Sequence, residues 1–167
     1  ATTPSAAGWS RTSTSSGHEE FPRTDPAVIC LVHDGGDRVL LARAPSWPER
    51  RFSVLAGFVE AGESLESCVR REIKEEVGID VSDIAYLGSQ PWPFPRSVMI
   101  GFSAVADPGV PLQFLDGEIA EAHWFDRAEV RDALALGDWA SDSPSRLLLP
   151  GSISIARGML EAWAVAG

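Results

Sequence analysis

The chain has 167 residues, the size of one ordinary domain, and 24 Asp and Glu against 14 Lys and Arg give a formal charge of −10 at pH 7. So acidic a molecule does not coat nucleic acid or an anionic membrane by charge alone. No apolar run approaches the roughly 18 residues of a membrane span, so the expectation is a soluble, cytoplasmic protein with no membrane partner.

With 44% hydrophobic residues the chain can bury a core. Its two cysteines, Cys30 and Cys68, are too few for a disulfide scaffold and leave no Cys-x-x-Cys for zinc; both are expected to be buried. Thirteen of the 14 basic residues are Arg. With Lys74 as the lone lysine, a Gly-Lys-Ser/Thr phosphate loop is excluded. The chain opens at Ala1 with no charged leader before an apolar core, so we expect no secretion signal and a trimmed or partial chain.

Residues 1–20 are rich in Ala, Ser, Thr and Gly, lack apolar periodicity and hold an isolated Trp9, which predicts an extended or poorly ordered arm. The domain is expected over 21–167. Pro26 to His33 and Arg38 to Ala44 are apolar runs joined by Asp34-Gly35-Gly36-Asp37, a hairpin pattern. Phe52 to Gly57 predicts a third strand. Leu65 to Val77 has helical spacing, with Ser64 as N-cap and Gly78 as stop. Strands follow at Ile84 to Leu87, Val98 to Ala106 and Glu118 to Phe125; Asp126 caps a short helix to about Leu136. After a loop at 137–151, Ser152 is expected to cap a last helix through Trp163. Interleaved strands and helices predict a layered α/β or α+β domain.

The helix at 65–77 carries the chemical signal. Stepping about 100° per residue from Leu65 at zero, Cys68, Val69, Ile73 and Val77 form one apolar arc. Glu72 falls at about 340° and Glu76 at about 20°, inside that arc, with Glu75 at its edge at about 280°. Burying unpaired carboxylates costs several kcal/mol, so they neutralise, pair or bind metal. With only Arg71 near, a hard divalent cation is the economical partner, and all-oxygen ligation favours Mg²⁺ or Mn²⁺. From periodicity alone, a solvated helix making surface ion pairs is the alternative.

The wider spacing decides between them. From Gly57 the chain reads Gly-x5-Glu63-x7-Arg71-Glu72-Ile73-x-Glu75-Glu76-x-Gly78-Ile79, seven specified residues and two apolar sites. Chance would produce this in roughly one window in 10⁹. It resembles the box of the Nudix hydrolases. The resemblance implies an α/β/α sandwich with a mixed β-sheet, with Glu72, Glu76 and the Ala56 carbonyl as metal ligands and Glu75 as ligand or base. It further implies that Arg71 and Glu63 brace the loop. Gly57 and Gly78 suit tight backbone turns.

Ser89-Gln90-Pro91-Trp92-Pro93-Phe94-Pro95-Arg96-Ser97 is stiffened by its prolines and presents Trp92 and Phe94. Alone it suits a rigid surface loop or a ligand for a proline-recognising domain. About ten residues past a Nudix box, it is similar to the signature of the NADH pyrophosphatases, as are Phe21 to Ile29, Leu55 to Glu60 and Ser152 to Ala156. This resemblance implies hydrolysis of NADH or NAD⁺ to NMN(H) and AMP, and removal of NAD caps from RNA 5′ ends. It implies a substrate site lined by Gln90, Pro91, Trp92, Pro93, Phe94, Pro95, Arg96, Ser97 and Ala156. Phe58 and Phe21 would sandwich a ring, Phe21 across a homodimer interface, and Glu118 would be a further metal ligand, with Glu121 beside it more peripheral. A broader Nudix hydrolase of ADP-ribose and a non-catalytic nucleotide-binding module are the alternatives. The family's zinc ribbon precedes the Phe-Pro-Arg segment. Here Ser13-x-x-Ser16 stands where its last Cys-x-x-Cys would be, so residues 1–20 read as a remnant and no zinc is expected.

Overall fold

Alternation along the longest apolar run sets the architecture. The computed structural model describes residues 1–5, 8, 10–115 and 117–166, so Trp9 and the terminal Gly167 lie outside the described residues. In strand β4 (Asp25–His33), Val28, Cys30 and Val32 enter one apolar cluster and Ile29 and Leu31 enter another. A strand buried on both faces belongs at the centre of a sheet covered on both sides.

Three short strands precede it: β1 (Thr2–Pro4), β2 (Arg11–Ser13) and β3 (Glu19–Glu20) form a small antiparallel sheet of their own. The arm expected to be extended or poorly ordered is thus paired, with Ser10 Oγ donating to Glu19 Oε1 at 2.6 Å. Ser13 and Ser16 stand at the β2–β3 turn. There the Ser16 amide donates to Ser13 Oγ and the Gly17 amide to the Ser13 carbonyl.

The main sheet adds β5 (Arg38–Arg43), β6 (Leu55–Phe58), β7 (Ser82–Trp92), β8 (Ser97–Val105) and β9 (Glu121–Asp126), in the order β7-β8-β4-β5-β9 with β6 also on β4. It is mixed: β8 runs parallel to β4, and the other pairs are antiparallel. One edge of β4 is split, with β6 on Ala27 to Cys30 and β5 on Val32 and His33.

Helix α1 (Leu65–Val77) covers one face through Cys68, Val69, Ile73 and Val77. Helices α2 (Arg127–Ala135) and α3 (Ile155–Val165) cover the other, giving the expected α/β/α sandwich. Both caps foreseen for α1 are present: Ser64 accepts from the Ser67 amide, and Gly78 takes a left-handed conformation at φ 77°. The cap of α3 is Ser154, not Ser152, because the chain turns through Gly151 and Ser152 before the Ser154 hydroxyl accepts the Ala156 amide.

Two expectations at β7 and β9 are also corrected. The strand expected to end at Leu87 continues through Gln90, Pro91 and Trp92, which pair with Met99, Val98 and Ser97. Pro91 is tolerated because β7 is an edge strand. Glu118 lies before β9 rather than in it.

Candidate active site

Helix α1 presents its carboxylates where the sequence pattern placed them. Glu76 is 4% exposed, Glu72 is half-buried and Glu75 reaches solvent. Glu72 packs against β6 so closely that a Cβ on Gly57 would lie 1.9 Å from its Cδ. Gly57 therefore serves a close approach inside a strand and not the tight turn expected of it. Gly78 does sit at a turn.

Arg71 ties the segment together. Its Nη2 and Nε donate to the two Glu63 oxygens at 2.6 and 3.1 Å, a bidentate pair. Nη1 donates to Glu72 at 2.9 Å and to Glu75 at 3.0 Å, and Nη2 reaches the Phe58 carbonyl at 3.0 Å. Those hydrogen bonds, with one from the Glu60 amide, hold the Glu63 carboxyl down at about 2. Glu72 behaves oppositely: burial raises its pKa despite Arg71, helped by the negative charge of Glu75 and Glu118. Among the described residues no three acidic, imidazole or thiol groups are gathered closely enough to hold an ion. Glu72 and Glu75 are drawn to the Arg71 guanidinium instead.

Two cavities meet beside this helix, sharing Ala56, Trp92 and Met99 in their walls. The polar one, about 470 Å³, is lined by Phe58, Glu60, Arg71, Glu72, Phe94, Ser97 and Glu118 among others. The apolar one, about 710 Å³, reaches toward the start of α3.

The NUDIX domain profile matches residues 23–147, three-quarters of the chain, including β6 and α1. The chain belongs to the NUDIX family. A NAD-capped RNA hydrolase, NudC, of Mycobacterium bovis is 69% identical over 163 residues, 98% of this chain and 52% of the relative. A NAD-capped RNA hydrolase of Schizosaccharomyces pombe is 42% identical over 149 residues, 87% of this chain and 39% of that one. The chain thus spans about half the length of the mycobacterial relative and less of the yeast one. A NUDIX hydrolase from Nitrosomonas europaea shares the fold with a TM-score of 0.61 at 20% identity, over 75% of this chain and 72% of its own.

Within this NUDIX domain the proline-rich segment contributes by strand alternation. Gln90 and Trp92 face the apolar cavity; Trp92, Phe94 and Ser97 face the polar one. Pro91, Pro93, Pro95 and Arg96 are exposed and line neither, and Arg96 pairs with Asp25 at 2.9 Å. Gln90 is engaged at both ends of its amide, donating to the Ile153 carbonyl at 2.9 Å and accepting from the Ile155 amide at 2.7 Å. It fastens the entry of α3 to the edge of the sheet.

Ala156 is not brought to the cavity surface. It is 1% exposed in the core beneath α3, and Ser154 and Ile155 line the wall in its stead. Phe58 and Phe21 are 61% and 56% exposed, and Phe21 lines neither cavity. Glu121 is engaged by Arg43 and His123.

Nudix hydrolases generally need divalent metal ions. The donor types present suit one: carboxylates are the oxygen donors such ions prefer, and Gly57 leaves the space on β6 that the Glu72 carboxyl fills. The sequence reading missed Trp47, Arg51, Asp138 and Trp139, all on the apolar cavity. Two isolated tryptophans in polar loops were the available signal.

Proposed function

We propose that this protein hydrolyses the pyrophosphate of NADH or NAD⁺ to NMN(H) and AMP, using Mg²⁺ or Mn²⁺, and removes NAD caps from RNA 5′ ends. The observation that carries this reading is the meeting of Arg71 and Glu72 of α1, and of Glu118, with Trp92, Phe94 and Ser97 on one cavity. The 69% identity to a protein named NAD-capped RNA hydrolase supports the choice of substrate.

In this reading Glu72, Glu75, Glu76, Glu118 and the Ala56 carbonyl would hold the ions. Such ions would supply neutralisation of the pyrophosphate oxygens and a lowered pKa for water. Glu75, the most exposed of the three helical carboxylates, takes a proton from the attacking water in this reading. Arg71 keeps Glu63 and the Phe58 carbonyl fixed, and Glu72 and Glu75, which accept from its Nη1, would hold the ions. Trp92 and Phe94 orient the substrate through ring contacts, holding each other edge-on with centroids 5.4 Å apart. Phe58 stacks on the nicotinamide ring, with Phe21 supplied by the second subunit of a cytoplasmic homodimer. The Ser13–Ser16 turn offers hydroxyls rather than thiolates and holds no zinc in this scheme.

Incubation with NADH and Mn²⁺, followed by chromatography, is expected to give NMNH and AMP in equal amounts. Rapid cleavage of ADP-ribose with NADH left intact would replace this reading with that of a broader Nudix hydrolase.

A further inference from the structure

The apolar cavity has a feature the reaction does not explain. Its outer wall carries Trp47 and Trp139, ring centroids 4.7 Å apart and tilted by 54°. Both are half-buried, so each ring is partly covered and partly open. They are also held in place. The Trp139 indole N–H donates to the Phe52 and Leu148 carbonyls at 3.3 and 3.2 Å. The Trp47 amide donates to the Ala44 carbonyl, and its own carbonyl accepts from Arg43 Nη1, both at 3.0 Å. A wall of one indole pinned by its N–H and a second anchored at its backbone and packed against the first loses little entropy when a flat ring settles on it.

We propose that Trp47 and Trp139 form the stacking site for the purine base of the dinucleotide. The inference rests on the function proposed above. With the pyrophosphate beside α1, the two halves of a dinucleotide must leave it in different directions, and two cavities diverge there from Ala56, Trp92 and Met99. The polar cavity carries Phe58 and Phe94 for the single-ring base. The larger, at about 710 Å³, has room for a nucleoside and presents bicyclic rings to a bicyclic base. Arg51 and Asp138 border the same space, one a hydrogen-bond donor and the other an acceptor for a purine edge. Among the described residues Arg51 has no carboxylate partner.

The test is binding of AMP, NMN and ribose 5-phosphate by calorimetry, alongside NADH kinetics, for the native protein, Trp47→Ala and Trp139→Phe. Trp47→Ala is expected to weaken AMP about tenfold, in line with the usual strength of base–aromatic stacking, while NMN and ribose 5-phosphate are little affected. The KM for NADH should rise by a similar factor, with a much smaller change in kcat. Trp139→Phe keeps a ring but loses the indole N–H, and should give a smaller AMP loss. Unchanged AMP affinity in Trp47→Ala overturns the proposal, as does a loss confined to NMN, which would put the nicotinamide there. If AMP binding depends on Trp47 in a protein that leaves NADH uncut, the purine site stands and the proposed reaction falls.

Discussion

Helices α1 and α3 cover opposite faces of one sheet and bury different chemistry. α3 inserts Ala156, Met159, Leu160 and Ala164, all apolar. α1 inserts Cys68, Val69, Ile73 and Val77 and, in the same stripe, Glu76. A helix that only covers a sheet gains nothing from an enclosed carboxylate, whose desolvation works against folding. The stripe of α3 is therefore a matter of stability, and on the proposed function the interruption in α1 is a matter of chemistry.

The sharpest way to break that contrast is Glu76→Gln, which removes a charge and keeps the shape. On the proposed mechanism kcat for NADH falls by about a hundredfold or more, while the fold is kept because glutamine preserves the shape of the side chain. A large drop in melting temperature with kcat preserved would make Glu76 a structural anion and erase the difference between the helices. Leu160→Ala is the counterpart on α3. Leu160 is fully buried, so truncation should cost about 2–5 kcal/mol of stability in denaturant unfolding. Activity per folded molecule should change little.

Gly57→Ala lies between these extremes. The added methyl would meet the Glu72 carboxyl, the far end of a flexible side chain, which can swing aside at small cost in stability. The same swing removes a carboxylate from the cavity. A loss in kcat/KM of about tenfold, with stability changed by less than about 1 kcal/mol, is expected. Mn²⁺ affinity measured by electron paramagnetic resonance should fall in parallel; an unaltered affinity would detach Glu72 from the metal site.

What the sequence disclosed follows from range of interaction. The limits of α1 and its caps depend on residues within a few positions of one another, so Ser64, Gly78 and the misplaced Glu72 and Glu76 were legible. Asp34 in the hairpin turn is similar, accepting from the Gly36 and Arg38 amides at 2.9 and 3.0 Å. The failures are long-range. Proline-rich composition suggested a stiff loop at Gln90 to Trp92, but a free sheet edge let it pair as strand. The family resemblance put Ala156 in the substrate site, whereas its side chain lies in the core beneath α3. Trp47 and Trp139 are 92 positions apart and meet only because the loop at 137–151 returns to the sheet. The role of Gly57 was legible as a requirement for glycine; its cause, the approach of Glu72 across the layer, was not.

The smallest expected effect concerns the brace behind α1. Glu63 titrates at about 2 when folded, against an ordinary 4.5. A lowered folded pKa means that the unfolded chain binds the proton first. The Glu63–Arg71 pair therefore contributes fully above about pH 4.5, and its contribution is lost as pH falls toward 2. Glu63→Gln lacks that contribution at every pH. Its urea midpoint should lie below the native one near neutrality, and the gap should close on acidification through this window. Because Arg71 also holds Glu72, Glu75 and the Phe58 carbonyl, the helix should stay in place and the loss near neutrality should be modest. Two midpoint curves running parallel down to pH 2 would show that Glu63 is not held by Arg71. The ordering of α1 against β6 would then have to come from its apolar stripe and the Arg71 bond to the Phe58 carbonyl.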